Sequence, residues 1–205
     1  MNLCLDIGNT RAKIGLFDGP QLVQFWSIPR SEIMDFPRTI TNHSIKNVIL
    51  STVAQDVGKQ ISQIWGDRIN FIELDEKTAL PIQNTYRTPK TLGKDRIAAV
   101  VGATLVGPEG SKLIIDAGTC ITFELLQENQ IYLGGNISPG IQMRLKAMHQ
   151  FTARLPELTT GATSSTIGYH TQSAMLNGAQ WGTIWEIEGT IDHFAKQFAP
   201  LTVIL

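Results

Sequence analysis

The chain has 205 residues, of which 42% are hydrophobic and 17% charged, and its formal net charge is −1. This composition allows a sizeable core, and it excludes the strong positive field that would recruit nucleic acid or an anionic membrane. Because no apolar stretch approaches the roughly 18 residues of a membrane span, we expect a globular cytoplasmic protein that binds neither nucleic acid nor membrane.

Alternating apolar residues predict a three-strand meander at the start of the chain, with Asp6 at its first bend. The segments that follow alternate between helix and strand: a weak helix over 31–40, a strand over 45–53, a helix over 57–65, a strand over 69–74 and a helix from Gly93.

The opening pattern then recurs: LCLDIGNTRAKIGLF is followed, 110 residues later, by LIIDAGTCITFELL. Asp6 aligns with Asp116, and Asn9 with Thr119. Each copy has an apolar strand, a D-x-G-[NT] turn and two further strands, the last being IYLGGNI in the second copy. A single copy would suit a hairpin cap, since Asp and Gly are common turn formers, but two copies indicate a duplicated domain. We place the boundary in the GPEGS stretch, which gives domains 1–109 and 110–205.

The second half is predicted to continue with four elements: a GGNISPG loop, a helix over 142–151, a long helix over 171–198 and a final LTVIL strand.

The two D-x-G-[NT] turns have the groups needed to bind phosphate and a cation. Each offers backbone N–H groups and a polar side chain on a tight bend, and each adds a carboxylate, the kind of oxygen ligand that Mg²⁺ requires. No G-x-x-x-x-G-K-[ST] motif occurs, and no G-x-G-x-x-G follows a strand. For one turn alone, hairpin capping and ligand binding are equally good interpretations; the repeat favours binding.

Five segments resemble type III pantothenate kinases in order and spacing: DIGNTRAK, LGKDR, DAGTCITF, GGNISPG with TARLP, and GYHTQSAMLNG. The resemblance covers Asn2 to Leu205, and LGKDR and GGNISPG with TARLP are its most specific parts. It implies an α/β fold of the acetate-kinase/Hsp70/actin superfamily: two duplicated ribonuclease-H-like (actin-like ATPase) domains, each a mixed sheet flanked by helices, around an ATP cleft. It also implies ATP-dependent phosphorylation of the 4′-hydroxyl of pantothenate, the first step of coenzyme A biosynthesis, by a homodimer with its substrate site at the interface.

The same resemblance implies roles for individual residues. The ATP-binding set is Asp6, Ile7, Gly8, Asn9, Thr10, Arg11, Ala12, Lys13 and Thr119. The pantothenate-binding set is Tyr86, Gly93, Lys94, Asp95, Arg96 and Thr171, the last from the partner subunit. Asp95 would be the catalytic proton acceptor. Asp6 would orient Mg²⁺ through water, and Asp116 would bind a monovalent cation, K⁺ or NH₄⁺.

Several of these residues also have a purely structural interpretation. Asp95 and Arg96 could be a helix N-terminal acid beside a surface arginine, and Tyr86 could serve packing. His149 could be a partner-side pantothenate contact, although a lone histidine on a helix is more often structural.

The sequence departs from the family pattern in three places. Lys94 stands where a small or apolar residue is common, and Tyr169-His170 precede Thr171 where an asparagine often does. Family members usually continue past the last strand into a Gly-rich loop and a terminal helix, so the ending at LTVIL indicates loss of that element, a shortened sequence or weaker nucleotide binding. Two rival functions are a regulatory protein of the transcription-accessory type and another kinase or phosphatase of the superfamily.

Overall fold

The computed structural model describes residues 1–8, 10–40, 44–52, 57–65, 69–162 and 165–205. The chain divides into two compact units: Met1–Ala79 with Arg87–Ala98, and Leu80–Tyr86 with Ala99–Leu205. The sequence-based boundary between residues 109 and 110 stays a prediction, and so does the ATP cleft.

The first unit is built on a five-stranded sheet in the order β3-β2-β1-β4-β5. Its strands are β1 (Asn2–Ile7), β2 (Arg11–Asp18), β3 (Gln21–Pro29), β4 (Asn47–Thr52) and β5 (Asn70–Glu73). The first three form the predicted antiparallel meander, and β4 and β5 continue the sheet in parallel with β1. Alternate residues of β1, among them Leu3 and Leu5, are buried against the helices of this unit, as the period of a half-buried strand requires.

Two helices pack on this core, α1 (Phe36–Thr39) and α2 (Val57–Trp65). The prediction for α2 is confirmed. The helix expected over 31–40 is wrong, because the segment forms a 3-10 turn, Arg30–Glu32, and then only the single turn of α1. Pro37 explains the break: it has no N–H to donate and is tolerated only in a first helical turn, where it lies here.

The second unit has its own five-stranded sheet, in the order β10-β7-β8-β9-β6. Its strands are β6 (Gln83–Asn84), β7 (Ser111–Ala117), β8 (Cys120–Gln127), β9 (Ile131–Pro139) and β10 (Leu201–Ile204). Three longer helices complete the chain: α3 (Lys94–Ala103), α4 (Ile141–Gln150) and α5 (Thr171–Gln197). None of the helices in the described part of the chain is long and apolar enough to cross a membrane.

Four strands of each sheet repeat one topology, which confirms the predicted pair of ribonuclease-H-like domains; the fifth strand differs, since β5 lies beside β4 and β6 lies beside β9. In each, the first strand pairs antiparallel with the second and parallel with a later strand, β4 in one unit and β10 in the other. The β2–β3 register shifts at Leu16/Phe17, and the β8–β9 register shifts at Leu125/Leu126. The duplication therefore extends from the motif to a detail of strand pairing.

The strand predicted over IYLGGNI is confirmed, whereas the loop predicted over GGNISPG is wrong, because β9 continues through this segment as far as Pro139. Glycines normally weaken a strand, but here one marks the register shift: Gly134 has a φ of +113°, a conformation that glycine adopts readily. Pairing with β8 holds the segment in the sheet.

Candidate active site

The first D-x-G-[NT] turn, the predicted phosphate loop, follows β1. Asp6 does not lie at the bend, as the sequence suggested, but inside β1 opposite Lys13 of β2. The bend itself begins at Gly8, whose N–H donates to the carbonyl oxygen of Arg11 over 3.0 Å. Asp6 is half-buried and Lys13 is exposed, so a carboxylate and an ammonium lie on neighbouring strands at the mouth of the loop.

Members of this loop differ in what they can offer a nucleotide. Ile7 and Ala12 have no solvent exposure and belong to the core, so only their backbone is available. Thr10 is exposed, whereas the guanidinium of Arg11 bonds Ser27 through Nε to Oγ at 2.9 Å and through Nη2 to the carbonyl oxygen at 2.5 Å. Asn9 lies outside the described residues.

The second loop, between β7 and β8, repeats this construction. Asp116 and Thr119 are exposed, and Gly118 N–H donates to the carbonyl oxygen of Cys120 at 2.9 Å, as Gly8 does in the first loop. Gly140 N–H donates to the carbonyl oxygen of Thr119 at 3.1 Å. A Cβ at Gly140 would overlap the Gly118 carbonyl oxygen, so this approach requires glycine.

An arginine braces the segment that contacts the second loop. Nε of Arg144, on α4, donates to the carbonyl oxygen of Pro139 at 2.8 Å, and its Nη2 pairs with Glu186 of α5. Sequence reasoning missed both residues, because their spacing along the chain does not show that they meet.

The LGKDR segment places Asp95 in the first turn of α3. Its carboxylate is exposed and bends back over Gly93, where a Cβ would overlap Oδ1. The Gly93 carbonyl oxygen accepts the first helical N–H, that of Ile97, at 3.2 Å. An acid in a first turn is stabilised by the helix dipole, and this one remains accessible to a ligand.

Its neighbours in the motif are held differently. Arg96 is only 5% exposed, so its guanidinium lies in a largely desolvated environment. Lys94 Nζ lies 3.6 Å from Oε1 of Glu73, the last residue of β5. Lys94, predicted to bind substrate, therefore also forms an ion pair that its sequence context does not reveal.

Two further candidates occupy the second unit. The ring of Tyr86 is half-buried and stacks on Tyr132, with centroids 6.3 Å apart and planes 5° from parallel. Thr171 is the exposed first residue of α5, directly after the N-cap His170, whose side chain accepts from Ser173 N–H at 3.3 Å.

His149 has a structural partner, as its simpler interpretation suggested. Its Nδ1 donates to the carbonyl oxygen of Leu155 at 2.7 Å and thereby ties α4 to the TARLP segment. A contact with pantothenate would have to use the other ring nitrogen.

The cation sites expected at Asp6 and Asp116 have the right donor type but few protein ligands. Among the described residues, no group of three or more His, Cys, Asp or Glu side chains forms a metal cluster. Mg²⁺ often takes one carboxylate and completes its shell with water and phosphate oxygens. A single carboxylate at each place therefore fits a cation that arrives with a nucleotide.

The family model for type III pantothenate kinase matches residues 2–193 of the chain. This chain belongs to the type III pantothenate kinase family. Two members illustrate the similarity: the kinase of Flavobacterium johnsoniae is 37% identical over 207 residues, and that of Christiangramia forsetii is 39% identical over 206. Each match covers all of this chain and 84% of the relative.

Among solved structures, one from Campylobacter jejuni described as a Baf family transcriptional activator has a TM-score of 0.62. It is 21% identical, and the match covers 98% of this chain and 90% of that one. At this identity the likeness shows a shared fold and carries no information on activity.

Proposed function

We propose that this chain transfers the γ-phosphoryl group of ATP to the 4′-hydroxyl of pantothenate, giving ADP and 4′-phosphopantothenate in the first step of coenzyme A biosynthesis. The proposal is carried by one observation, a family match that spans nearly the whole chain. Its chemistry needs a proton acceptor that substrate can reach, and Asp95 has the exposure and the helix-terminal position for that role.

Asp95 acts as the general base. The hydroxyl oxygen of pantothenate forms a bond to the γ-phosphorus, the bond from that phosphorus to the β,γ-bridging oxygen breaks, and the hydroxyl proton passes to Asp95. General base catalysis is typically worth about 10²–10⁴-fold. Because phosphoryl transfer has a loose transition state, positioning and charge neutralisation account for most of the remaining acceleration.

Arg96 binds the carboxylate of pantothenate. A guanidinium matches a carboxylate with two parallel hydrogen bonds, which lysine cannot reproduce. Since Arg96 is 5% exposed, such a pair forms in a low-dielectric environment where it is stronger than in water. Tyr86 contacts the same substrate, and Thr171 reaches it from the partner subunit of a homodimer.

The two loops hold ATP. In the first, the backbone from Asp6 to Lys13 and the side chains of Thr10 and Lys13 bind phosphate; in the second, Thr119 does. Asp6 would hold Mg²⁺ through water, and Asp116 would hold K⁺ or NH₄⁺. When bound, these cations neutralise phosphate charge, while the residues named here position the nucleotide.

The regulatory alternative has no observation in its favour, since the relatives that match along the whole chain are named as kinases. We also propose that the enzyme acts in the cytoplasm and needs neither nucleic acid nor membrane.

The decisive experiment measures ADP release with ATP, Mg²⁺ and K⁺, with and without pantothenate. We expect turnover that depends on pantothenate, that K⁺ or NH₄⁺ stimulates over Na⁺, and that Asp95→Asn lowers by about 10²–10⁴-fold. Asp18→Asn, at the exposed end of β2, is the matched control and should keep full activity. Hydrolysis independent of pantothenate, or full activity in Asp95→Asn, would refute the proposal.

A further inference from the structure

Glu124, in the middle of β8, is a buried carboxylate to which the proposed mechanism assigns no role. It has no solvent exposure. Burying a carboxylate is costly unless hydrogen bonds satisfy it. Here the hydroxyl of Tyr132, on β9 and equally buried, donates to Oε2 of Glu124 at 2.5 Å.

The pairing of β8 with β9 places these two side chains near each other. Leu126 lies opposite Tyr132, but Glu124 lies opposite Gly135, three residues further along β9. A Cβ at Gly135 would come within 2.7 Å of Glu124 Oε2. The glycine of the GGNISPG motif therefore leaves the space that the carboxylate occupies.

Tyr132 in turn supports Tyr86. Their rings are stacked, 6.3 Å apart and within 5° of parallel. A Cβ at Gly134 would lie 3.3 Å from Cδ2 of Tyr86, so the backbone of β9 comes close to the edge of that ring.

The backbone on both sides of this stack is fixed as well. Thr85 binds the carbonyl oxygen of Tyr132 through its N–H at 3.1 Å and its Oγ1 at 2.8 Å. The N–H of Tyr86 donates to Asn84 Oδ1 at 2.9 Å. The ring of Tyr86 is thus held by an aromatic face and by the strand that precedes it.

We propose that Glu124 and Tyr132 are positioning residues for pantothenate, acting through Tyr86. A phenylalanine at position 132 would keep the stacked ring but lose the bond to Glu124, and buried ionic groups often contribute little net stability. What the hydroxyl–carboxylate bond adds is a fixed ring orientation, and substrate positioning depends on such rigid support. This inference rests on the proposed contact between Tyr86 and pantothenate.

The test is steady-state kinetics on Tyr132→Phe, which removes one hydroxyl and keeps the stacked ring. We expect the KM for pantothenate to rise about 3- to 10-fold, because the variant loses the hydrogen bond between Tyr132 and Glu124 that supports the ring of Tyr86. The KM for ATP and kcat should change by less than about twofold, because the proposed role of the pair is confined to the pantothenate contact of Tyr86. Thr202→Val, on β10, removes a hydroxyl elsewhere in the same sheet and should leave all three constants unchanged.

A double-mutant cycle shows whether the effect passes through Tyr86. In a Tyr86→Ala background, Tyr132→Phe should produce no further rise in the KM for pantothenate, since the ring that it orients is gone. An equal rise in both backgrounds, or an equal change in the two KM values, would overturn the proposal.

A second variant and the activity of the wild-type chain distinguish failure of this inference from failure of folding or of the proposed function. If Tyr132→Phe does not fold, Glu124→Gln keeps the size of the side chain and an acceptor oxygen; it should raise the same KM by less, and an unchanged KM would overturn the inference. If the wild-type chain shows no turnover that depends on pantothenate, the proposed function fails, whereas unchanged kinetics of Tyr132→Phe in an active enzyme contradict only this inference.

Discussion

The ammonium group of Lys112, which has no solvent exposure, donates to the carbonyl oxygen of Ala103 over 2.7 Å. It also donates to the carbonyl oxygen of Val106 at 2.8 Å. Ala103 is the last residue of α3, where helix carbonyls lack intrahelical donors and a positive charge is favourable. The first residues of β7 thus hold the C-terminal end of the helix that begins with the LGKDR motif.

We predict that Lys112→Met lowers the free energy of unfolding of the protein. Methionine fills a similar volume, but it leaves buried carbonyl oxygens without their charged donor, which costs about 1–3 kcal/mol. Urea denaturation followed by tryptophan fluorescence measures the change. Lys146→Met, at an exposed position of α4, should shift the free energy by less than about 0.5 kcal/mol. Equal effects of the two substitutions would contradict a role for the buried bonds.

A second prediction concerns the contact between Gly140 and the loop between β7 and β8, which we propose binds phosphate. In Gly140→Ala the new Cβ would overlap the Gly118 carbonyl oxygen and lie 2.7 Å from that of Thr119, so the loop backbone must move. Overpacking of this kind typically costs about 1–3 kcal/mol. If this free-energy cost weakens ATP binding, the KM for ATP should rise about 5- to 150-fold, since about 1.4 kcal/mol corresponds to a factor of ten.

The matched control for this substitution is Gly189→Ala. No atom lies within 4 Å of a Cβ at that helical glycine, and alanine should stabilise α5 by up to about 1 kcal/mol. Steady-state kinetics at saturating pantothenate measure both variants. An unchanged KM for ATP in Gly140→Ala would show that the second loop does not contact nucleotide.

How far the sequence alone predicts this structure can be judged from single elements. The alternation in β1 and β2 and the periodicity of α2 predict those elements correctly, because local pattern and final environment agree. The repeat predicted a strand over IYLGGNI, but not its continuation through Ser138 and Pro139, which depends on the pairing with β8. Contacts with β8 therefore determine where the strand ends.

In the candidate site, too, local sequence predicts some features, and contacts between distant residues determine others. Asp95 could be placed at a helix N-terminus from LGKDR, because that position follows from local motif and capping rules. Glu124 gave a weak signal, a charge inside the apolar run TFELL, but its contact with Tyr132 depends on strand pairing that spacing along the chain does not reveal. Contacts across strands were therefore the part that sequence reasoning missed.

A third prediction concerns the ion pair between Lys94 and Glu73. A Cβ at Gly58, in the first turn of α2, would overlap the Glu73 carboxylate. Because that carboxylate is the end of a flexible side chain, Gly58→Ala should displace it and break the pair without moving the backbone. Lys94→Met and Gly58→Ala should therefore lower kcat/KM for pantothenate to the same modest extent.

The solvent exposure of the Lys94 and Glu73 side chains limits the size of this loss in kcat/KM. The two side chains are 29% and 40% exposed, and pairs of this kind contribute less than about 1 kcal/mol, or about fivefold in rate. Kinetics at two salt concentrations should show the difference from wild type shrinking as salt screens the pair. Additive losses in the Gly58→Ala, Lys94→Met double variant would mean that the substitutions act independently.

The last prediction addresses the proposed sharing of the substrate site between subunits. Asp95→Asn should be inactive for lack of the base, and Thr171→Val should bind pantothenate weakly because the partner's hydroxyl is missing. In a dimer with one subunit of each kind, one site carries both defects and the other carries neither. Mixing the two variants in equal amounts, with subunit exchange, should then restore about a quarter of wild-type activity, since half of the dimers are mixed and each has one intact site.

The control is a mixture of Asp95→Asn with the double variant Asp95→Asn, Thr171→Val, in which no intact site can form and activity should stay at background. Sedimentation velocity on each variant confirms that both still form dimers. Recovery in the control mixture would point to contaminating enzyme. If the test mixture shows no recovery while exchange is demonstrated, Asp95 and Thr171 act within the same subunit and the site is not shared.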